Sequence, residues 1–473
     1  MNAVRAQYIP FFFSRKSVLT FSSILVVTFL MFIARPLTIS SILFNIVEVV
    51  LFFYLSSKLS KKWANVSVSL FSKRLFRVAF LIRLIWILFS YLYYNALTGK
   101  PFEFEAADSF GYHNEAVWLV GLLKDSKFDV YLAYIGTNYS DMGYPFYLGI
   151  FYYLLGDGVL IPRILKAILS SYTCLLVYYI ARNNFNESTG RMAGIMAMLV
   201  PNLIYYCGIH VKETEMVFLT VWFVYLADQF IRSPKVYLSS IVGIVLVGAS
   251  VFFFRTVLAA CLIGSVGVAT FLTSSRISKG YKRVVLGFLL IAGVFFIYST
   301  PLGKTIDEYL AASDENLTSQ MKNYATREGG GENRLARYGS RSIFLPMMLI
   351  APFPTLVYIP EQPNAMMLGG ALFTRNVYAF FVLIGLGTLF KRKKLRAHIL
   401  LLAITFSYIF VLASSGFALS ERFHLPLVPF LLILAAYGIS QMNRSNKKYF
   451  VPYLMLISII IIGWNWFKVA GRS

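Results

Sequence analysis

Charged residues are scarce in this sequence, at 14% of 473 residues, and cysteine occurs only three times. Soluble domains average about 25% charged residues, so this composition excludes a soluble multidomain protein of the same length. The cysteines lie within apolar runs and show neither metal-ligand spacing nor a disulfide framework, which makes them expected core residues; they are Cys174, Cys207 and Cys261.

Long apolar runs make up most of what remains, with 58% hydrophobic residues and a mean hydropathy of +0.67. A membrane-spanning helix needs about 20 predominantly apolar residues. Runs of this kind begin near Val18, Leu37, Phe76, Pro162, Met192, Thr214, Val236, Thr256, Val284, Ala371, His398, Leu425 and Phe450. We therefore predict an all-α polytopic membrane protein with about 13 transmembrane helices.

Basic residues outnumber acidic ones by 44 to 21, which gives a net charge of +23. The positive-inside rule places the N-terminus and the basic loop at residues 58–74 in the cytoplasm. By alternation, 25 of the 44 bases then face the cytoplasm with only three acids, which are Glu48, Glu187 and Asp228. Orientation and contact with anionic lipids explain the net charge, so no nucleic-acid partner is predicted.

The predicted topology divides the chain into four parts. They are an N-terminal transmembrane hairpin with its basic cytoplasmic loop (1–75), a transmembrane module (76–299) that includes a first outer loop (97–161) and is expected to hold the candidate site, a second outer loop (300–370) with an interfacial or re-entrant segment, and C-terminal transmembrane helices (371–473). Long loops in compact proteins are usually functional or disordered. We therefore expect the chemistry in the two outer loops.

Both outer loops contain segments that we expect at the membrane interface. Residues 146–155 are apolar but too few to cross the bilayer. Residues 342–360 contain four prolines, which break a continuous helix, so this segment is expected to be interfacial or re-entrant. Three glycines at 329–331 lie among charged residues and indicate either a mobile lid or a plain flexible linker.

Most acids of the first outer loop lie in EFEAADSFGYHNEA, residues 103–116. A carboxylate held at the membrane surface can take a proton from a hydroxyl acceptor, and Asp108 is the first candidate for this role. The alternative is a solvated acidic loop. His113 and His210 show no paired spacing of metal ligands, so we predict no metal and interpret them as hydrogen-bonded interfacial residues.

Several short motifs follow in order along the chain. They are DSFGYHNEA at 108–116, GYP at 143–145, an arginine opening a span at 163, GIHVKE at 208–213, LIAPFP at 349–354 and ERFHLPLVP at 421–429. Together they resemble the GT-C glycosyltransferases of the protein-mannosyltransferase and aminoarabinose-transferase type. Members of that family carry an aspartate in the first outer loop, aromatic interfacial helices and an Arg-aromatic-x-x-Pro element before a late span. The resemblance is clearest from residue 83 to residue 229.

The resemblance implies a GT-C-like fold in a bacterial plasma membrane, with the N-terminus cytoplasmic and the active site on the outer side. It implies transfer of a sugar from a polyprenyl-phosphate donor to a glycan, lipid or protein acceptor in envelope or surface glycan synthesis, without a cofactor. Asp108 would be the general base. The substrate-binding candidates are Lys212, Glu213, Arg255, Arg422, Tyr112 and His113.

Fixed cations near the outer surface would stabilise the negative charge of a departing lipid phosphate. The candidates are Lys212, Arg255 and Arg422, each of which is also explicable as a residue that snorkels to the lipid headgroups. We expect these cations to lie apart from Asp108, so that replacing Asp108 leaves donor binding largely intact.

Two other functions are compatible with the sequence. A polysaccharide polymerase or ligase also needs outer basic residues, in that case for a carrier pyrophosphate. A transporter or flippase of lipid-linked glycans places ionisable residues at mid-membrane, where Arg83, Glu48 and Lys166 are the candidates. These three are few and scattered, and no long internal repeat is present, which favours the enzyme.

Overall fold

The computed structural model describes residues 7–136, 139–233, 235, 237–273, 287, 347–414 and 420–470. These ranges are helical and contain no β-strand. Nine helices within them are long and apolar enough to cross a membrane. The prediction of an all-α membrane protein is thereby confirmed for the described part of the chain.

In the N-terminal half, the helices are α1 (Phe11–Met31), α2 (Ile39–Val50) continued by a π-helical turn (Leu51–Leu55) and α3 (Ser56–Lys62), α4 (Val68–Thr98), α5 (Ala107–Lys124), α6 (Phe128–Ile135), α7 (Gly143–Leu155), α8 (Leu160–Asn184), α9 (Glu187–Leu199), α10 (Pro201–Tyr205), α11 (Glu213–Arg232), α12 (Leu238–Phe254) and α13 (Thr256–Leu272).

The C-terminal half has α14 (Pro363–Met367), α15 (Gly369–Lys391), a 3-10 turn (Leu395–His398), α16 (Ile399–Ser414), α17 (Glu421–His424), a second 3-10 turn (Leu425–Leu427), α18 (Val428–Ser440), α19 (Arg444–Lys447) and α20 (Phe450–Ala470). All 13 residues of α18 are buried, which places it at the centre of the bundle. A Cβ on Gly438 would lie 1.9 Å from the carbonyl oxygen of Phe381, so glycine is what lets α18 pack closely against α15.

Nine of the predicted apolar runs coincide with the nine long helices. The runs near Val236 and Thr256 form α12 and α13, which have 17 residues each. The run near Met192 is divided into α9, with 13 residues, and α10, with five. The run near Val284 falls outside the described residues except for residue 287. Within the described residues, nine helices are long enough to span, whereas the sequence predicts about 13 for the whole chain.

The division between α9 and α10 explains a buried charge. Pro201 has no N–H group to donate to the carbonyl of Ala197 one turn earlier, so the α9 ladder ends there. Arg83, on α4, donates from its guanidinium to the carbonyl oxygens of Ala197 at 3.2 Å and Met198 at 3.1 Å. A cation at the C-terminal end of a helix is also stabilised by the helix dipole. Arg83 therefore caps a broken helix inside the bundle.

A second buried charge caps another helix. The Glu48 carboxylate accepts from the backbone N–H of Ala371 at 2.8 Å, and Asn45 Oδ1 accepts from that of Gly370 at 2.6 Å. These amides belong to the first turn of α15, where an anion is stabilised by the helix dipole. Glu48 lies ten residues into the candidate span Ile39–Lys62, and its assignment to the cytoplasmic side stays a prediction.

Two amide side chains hold the end of the 300–370 segment among the helices. Residues 348–362 are non-helical, as the prolines predict. Asn376 donates to the carbonyl oxygens of Ile350 at 2.6 Å and Pro352 at 3.0 Å, and Asn465 accepts from the N–H of Leu356 at 2.7 Å. Irregular backbone is tolerated at membrane depth when protein groups satisfy it in this way. Residues 300–346, including the glycines at 329–331, lie outside the described residues.

We expect Arg83→Met to lower the thermal unfolding midpoint of the detergent-solubilised protein by several degrees. Methionine fills a similar volume but leaves two buried carbonyl oxygens without donors, at a cost of roughly 1–3 kcal/mol each. Arg74→Met on the same helix is the matched control, because Arg74 is exposed. Equal midpoints for the two variants would contradict the capping role.

Candidate active site

Six charged residues from five segments meet at one end of the bundle, and we call them the charge cluster. Its members are Asp108 at the start of α5, Asp141 just before α7, Lys212 and Glu213 at the start of α11, Arg255 between α12 and α13, and Arg422 in α17. Five of the six are among the site residues predicted from the sequence. The structure therefore brings together residues that are more than 300 positions apart.

Glu213 is the centre of the charge cluster and is fully buried. Its Oε1 atom accepts a charge-assisted hydrogen bond from Arg422 Nε and lies 3.9 Å from Arg255 Nη2. Glu213 is also the first residue of α11, where the helix dipole favours an anion. A buried carboxylate without cations would be strongly destabilising, so these two guanidinium groups and Glu213 require one another.

Asp108 is ion-paired to the same arginine. Arg422 Nη1 donates to Asp108 Oδ2, and the Asp108 side chain remains 60% exposed. The expectation that the cations lie apart from Asp108 was wrong. Helix α17 places Arg422 directly beneath the N-terminal turn of α5, so one guanidinium joins the exposed Asp108 to the buried Glu213.

Lys212 and Asp141 form the other side of the charge cluster. Lys212 is 4% exposed and donates to Asp141 Oδ1 and to the carbonyl oxygen of Phe254 at 2.8 Å. Burial lowers the pKa of Lys212, and the Asp141 carboxylate opposes that shift. A Cβ on Gly143 would lie 2.9 Å from the carbonyl oxygen of Phe253, so glycine is what lets this turn approach the end of α12.

Tyr112 lies beside this pair on α5. Its hydroxyl donates to Asp141 Oδ1 at 3.4 Å, and its ring is 6.0 Å from the ammonium group of Lys212. Burial raises the pKa of the Tyr112 phenol, which therefore stays neutral and acts as a hydrogen-bond donor. The predicted site residue Tyr112 thus borders the charge cluster.

Four consecutive residues of α17 contact four different parts of the bundle. Glu421 accepts from Asn202 and Tyr206, Arg422 joins the charge cluster, the Phe423 ring lies 4.3 Å from the Arg255 guanidinium, and His424 is bonded to Arg375 at 2.7 Å. Arg255 is further fixed by Tyr408, whose hydroxyl accepts from its Nη1 at 3.3 Å. These contacts fix the orientation of both arginines.

A buried lysine holds the turn that precedes α11. Lys166 donates to the carbonyl oxygens of Ile209, at 2.9 Å, and Val211, and lies 3.6 Å from Glu215. Lys166 is one of the candidates for a mid-membrane transport residue, and Arg163 is the arginine that opens a span in the motifs of the resemblance. Arg163 is buried and donates to the carbonyl oxygen of Pro101 at 2.5 Å, so both side chains have structural contacts.

The two candidate histidines belong to a separate network. Tyr152 Oη lies 2.8 Å from His113 Nδ1 and 3.0 Å from His210 Nε2, so one phenol bridges the two rings. Burial lowers the pKa of both histidines, which favours the neutral imidazole. Within the described ranges, no group of three or more His, Cys, Asp or Glu side chains could hold a metal ion. His113 therefore ties α5 to the turn before α11 and has no contact with the charge cluster.

Sequence reasoning missed several partners of the predicted residues. Asp141 was not among the predicted site residues, although it precedes the GYP motif and pairs with Lys212. Glu421 was quoted in the same motif as Arg422 but was not given a role of its own. Tyr152 and Tyr408 lie among other aromatic and apolar residues, and nothing in the sequence marks them as hydrogen-bonding residues. Only Glu421 could have been found from the sequence, because it is a charged residue directly beside the predicted site residue Arg422.

Comparison with known proteins does not assign the chain to a family. No family model matches the sequence, and no curated protein matches it.

We expect the protein to become less stable as the pH is lowered, because of the buried His210. An unfolded histidine takes up a proton near pH 6.5, while the buried His210, with its lowered pKa, does not. The unfolded state then binds more protons, so each unit of pH below about 6.5 costs the fold up to roughly 1.4 kcal/mol. His210→Gln should therefore lose less thermal stability than wild type between about pH 7.5 and about pH 5.5. Parallel losses in both proteins would contradict this assignment.

Proposed function

We propose that the protein is a GT-C-type glycosyltransferase that moves a sugar from a polyprenyl-phosphate donor to an acceptor on the outer face of a bacterial plasma membrane. About 13 spans, a cytoplasmic N-terminus and a role in envelope or surface glycan synthesis belong to the same proposal. The observation that supports it is the charge cluster, in which the exposed Asp108 is paired with the partly buried Arg422, and Arg422 and Arg255 share the buried Glu213 at one end of a helical bundle.

The chemistry of transfer matches these residue types. Asp108 takes the proton of an acceptor hydroxyl or amine as the oxygen or nitrogen of that group attacks the anomeric carbon of the sugar. The bond between the anomeric carbon and the phosphate oxygen breaks. The electron pair leaves with the lipid phosphate. Arg422, Arg255 and Lys212 supply guanidinium and ammonium donors for that developing charge. Their buried surroundings strengthen such interactions relative to water.

The polar rim of the charge cluster suits the sugar. Tyr112 presents a neutral phenol beside Asp141, and the Tyr144 ring packs edge-on against it at 5.1 Å. Tyr112 is partly accessible and offers a hydrogen-bond donor and a ring face to a pyranose, while the fully buried Tyr144 supports its ring from behind. His113 acts through Tyr152 instead, by holding the start of α5 in place.

The rival functions receive less support from the described residues. Arg83 caps the C-terminal end of α9, Glu48 caps the N-terminal end of α15, and Lys166 binds the backbone carbonyls before α11. These charges therefore have structural partners, which is not what a conduction path requires. A polymerase or ligase shares the anionic leaving group of the proposed reaction. It is distinguished by its donor, a pyrophosphate-linked oligosaccharide in place of a phosphate-linked sugar.

The orientation is tested by labelling single cysteines with an impermeant maleimide in intact cells. In a background without native cysteines, Glu105→Cys in the first outer loop and Gly330→Cys in the second should react from outside, and Lys393→Cys only after permeabilisation. The reason is that 25 of 44 basic residues are assigned to the cytoplasmic side. Labelling of Lys393→Cys in intact cells would overturn the orientation.

Catalysis is tested by offering the reconstituted protein a panel of radiolabelled polyprenyl-phosphate sugars and cell-envelope acceptors. Asp108→Asn should lower transfer by about 100-fold or more, because the amide cannot accept the proton. Arg255→Ala and Arg422→Ala should each cost about 10- to 150-fold, the value of one charge-assisted contact in the transition state. Glu105→Gln is the matched control, since Glu105 is exposed and lies outside the charge cluster.

Near wild-type transfer by Asp108→Asn would remove it as the base even if the donor class is right. Full activity of both arginine variants would remove them from the donor site. Transfer from a pyrophosphate-linked oligosaccharide alone would favour the polymerase or ligase.

A further inference from the structure

The charges of the charge cluster balance one another. Three cations face three carboxylates, namely Lys212, Arg255 and Arg422 against Asp108, Asp141 and Glu213. A lipid phosphodiester brings one further negative charge into this partly buried site. Each cation of the cluster is already paired with a carboxylate. The phosphate can therefore pair with a cation only if one carboxylate gives up its place.

We infer that the Asp108 carboxylate occupies the position of the donor phosphate on Arg422 when the site is empty, and that the incoming phosphate displaces it. The inference rests on the proposed function and adds a regulatory step to it. Donor binding frees the base, so Asp108 becomes available for the acceptor only when a donor is in place.

Arg422 is built to change one partner while keeping another. Its Nε atom is bonded to the buried Glu213, while Nη1 points to Asp108 at the exposed side of the cluster. Glu213 thus fixes the guanidinium plane, and the outward N–H groups offer the forked geometry that carboxylate and phosphate both accept. Phosphate oxygens can replace those of Asp108 without movement of the arginine.

Asp108 is the carboxylate that is free to leave. Among the described residues its only ion-pair or hydrogen-bond partner is Arg422, and its side chain is 60% exposed. Asp141, by contrast, accepts from both Lys212 and Tyr112, and Glu213 is fully buried between two arginines. Water can therefore solvate Asp108 as it turns away, whereas the other two carboxylates lose more contacts than they regain.

Release also changes what the Asp108 carboxylate can contact. In the pair, Asp108 Oδ2 accepts from Arg422 Nη1. Once phosphate takes that guanidinium, the exposed oxygen is open to the hydroxyl or amine of the acceptor. Sugar transfer is thereby coupled to donor occupancy by a single exchange at Arg422.

The test is binding of decaprenyl phosphate to the purified full chain in phosphatidylcholine nanodiscs. Asp108→Asn should tighten binding by about 10-fold, because phosphate no longer competes with a carboxylate for Arg422. Glu105→Gln removes a nearby exposed charge and should change affinity by less than about twofold, within the range for a screened surface charge. Uncharged decaprenol should bind all three proteins alike. Asp108→Ser serves equally if the asparagine variant is not recovered folded.

Two results would overturn the exchange, and they are distinguishable. If Arg422→Gln weakens decaprenyl phosphate binding but Asp108→Asn leaves it unchanged, the displacement is wrong while the proposed donor site stands. If neither Arg422→Gln nor Arg255→Gln changes the preference for decaprenyl phosphate over decaprenol, the proposed function and the exchange both fail.

Discussion

The buried carboxylate of Glu213 is the constraint on which the rest of the site depends. A carboxylate taken out of water needs cations around it, and the two that reach it, Arg422 and Arg255, come from distant parts of the chain. Their convergence requires the start of α11, the α12–α13 junction and α17 to meet at one end of the bundle. Because Glu213 holds Arg422 in place, Arg422 can also pair with the exposed Asp108. The position of the exposed residue thus depends on the buried one.

The same requirement operates deeper in the bundle. Every helix that is interrupted among apolar neighbours exposes backbone groups that lipid cannot satisfy. Arg83 binds the carbonyls at the end of α9, and Glu48 binds the amides at the start of α15. Among the described residues, buried charge therefore closes helix ends inside the bundle, holds loop carbonyls as Lys166 does, and forms a polar site at one end.

The sequence predicted the helical class and nine of the long spans, because lipid demands uninterrupted apolar runs that are visible one residue at a time. It also selected five of the six members of the charge cluster, from the resemblance to GT-C enzymes and from the need for cations at a departing phosphate, although it set those cations apart from Asp108. It did not predict that Arg422 touches Asp108, or that Asp141 pairs with Lys212. Contacts between residues 314 and 71 positions apart depend on packing angles, which single-sequence periodicity does not encode.

The exchange of partners at Arg422 is tested most directly by determining the structure of the protein bound to a polyprenyl phosphate in a lipid nanodisc. We predict a phosphate within about 3 Å of the outward Arg422 nitrogens, with Glu213 still bonded to Arg422 and Asp108 turned toward solvent. A phosphate bound away from Arg422 and Arg255, or one bound at Arg422 beside an intact Asp108 pair, would contradict the account.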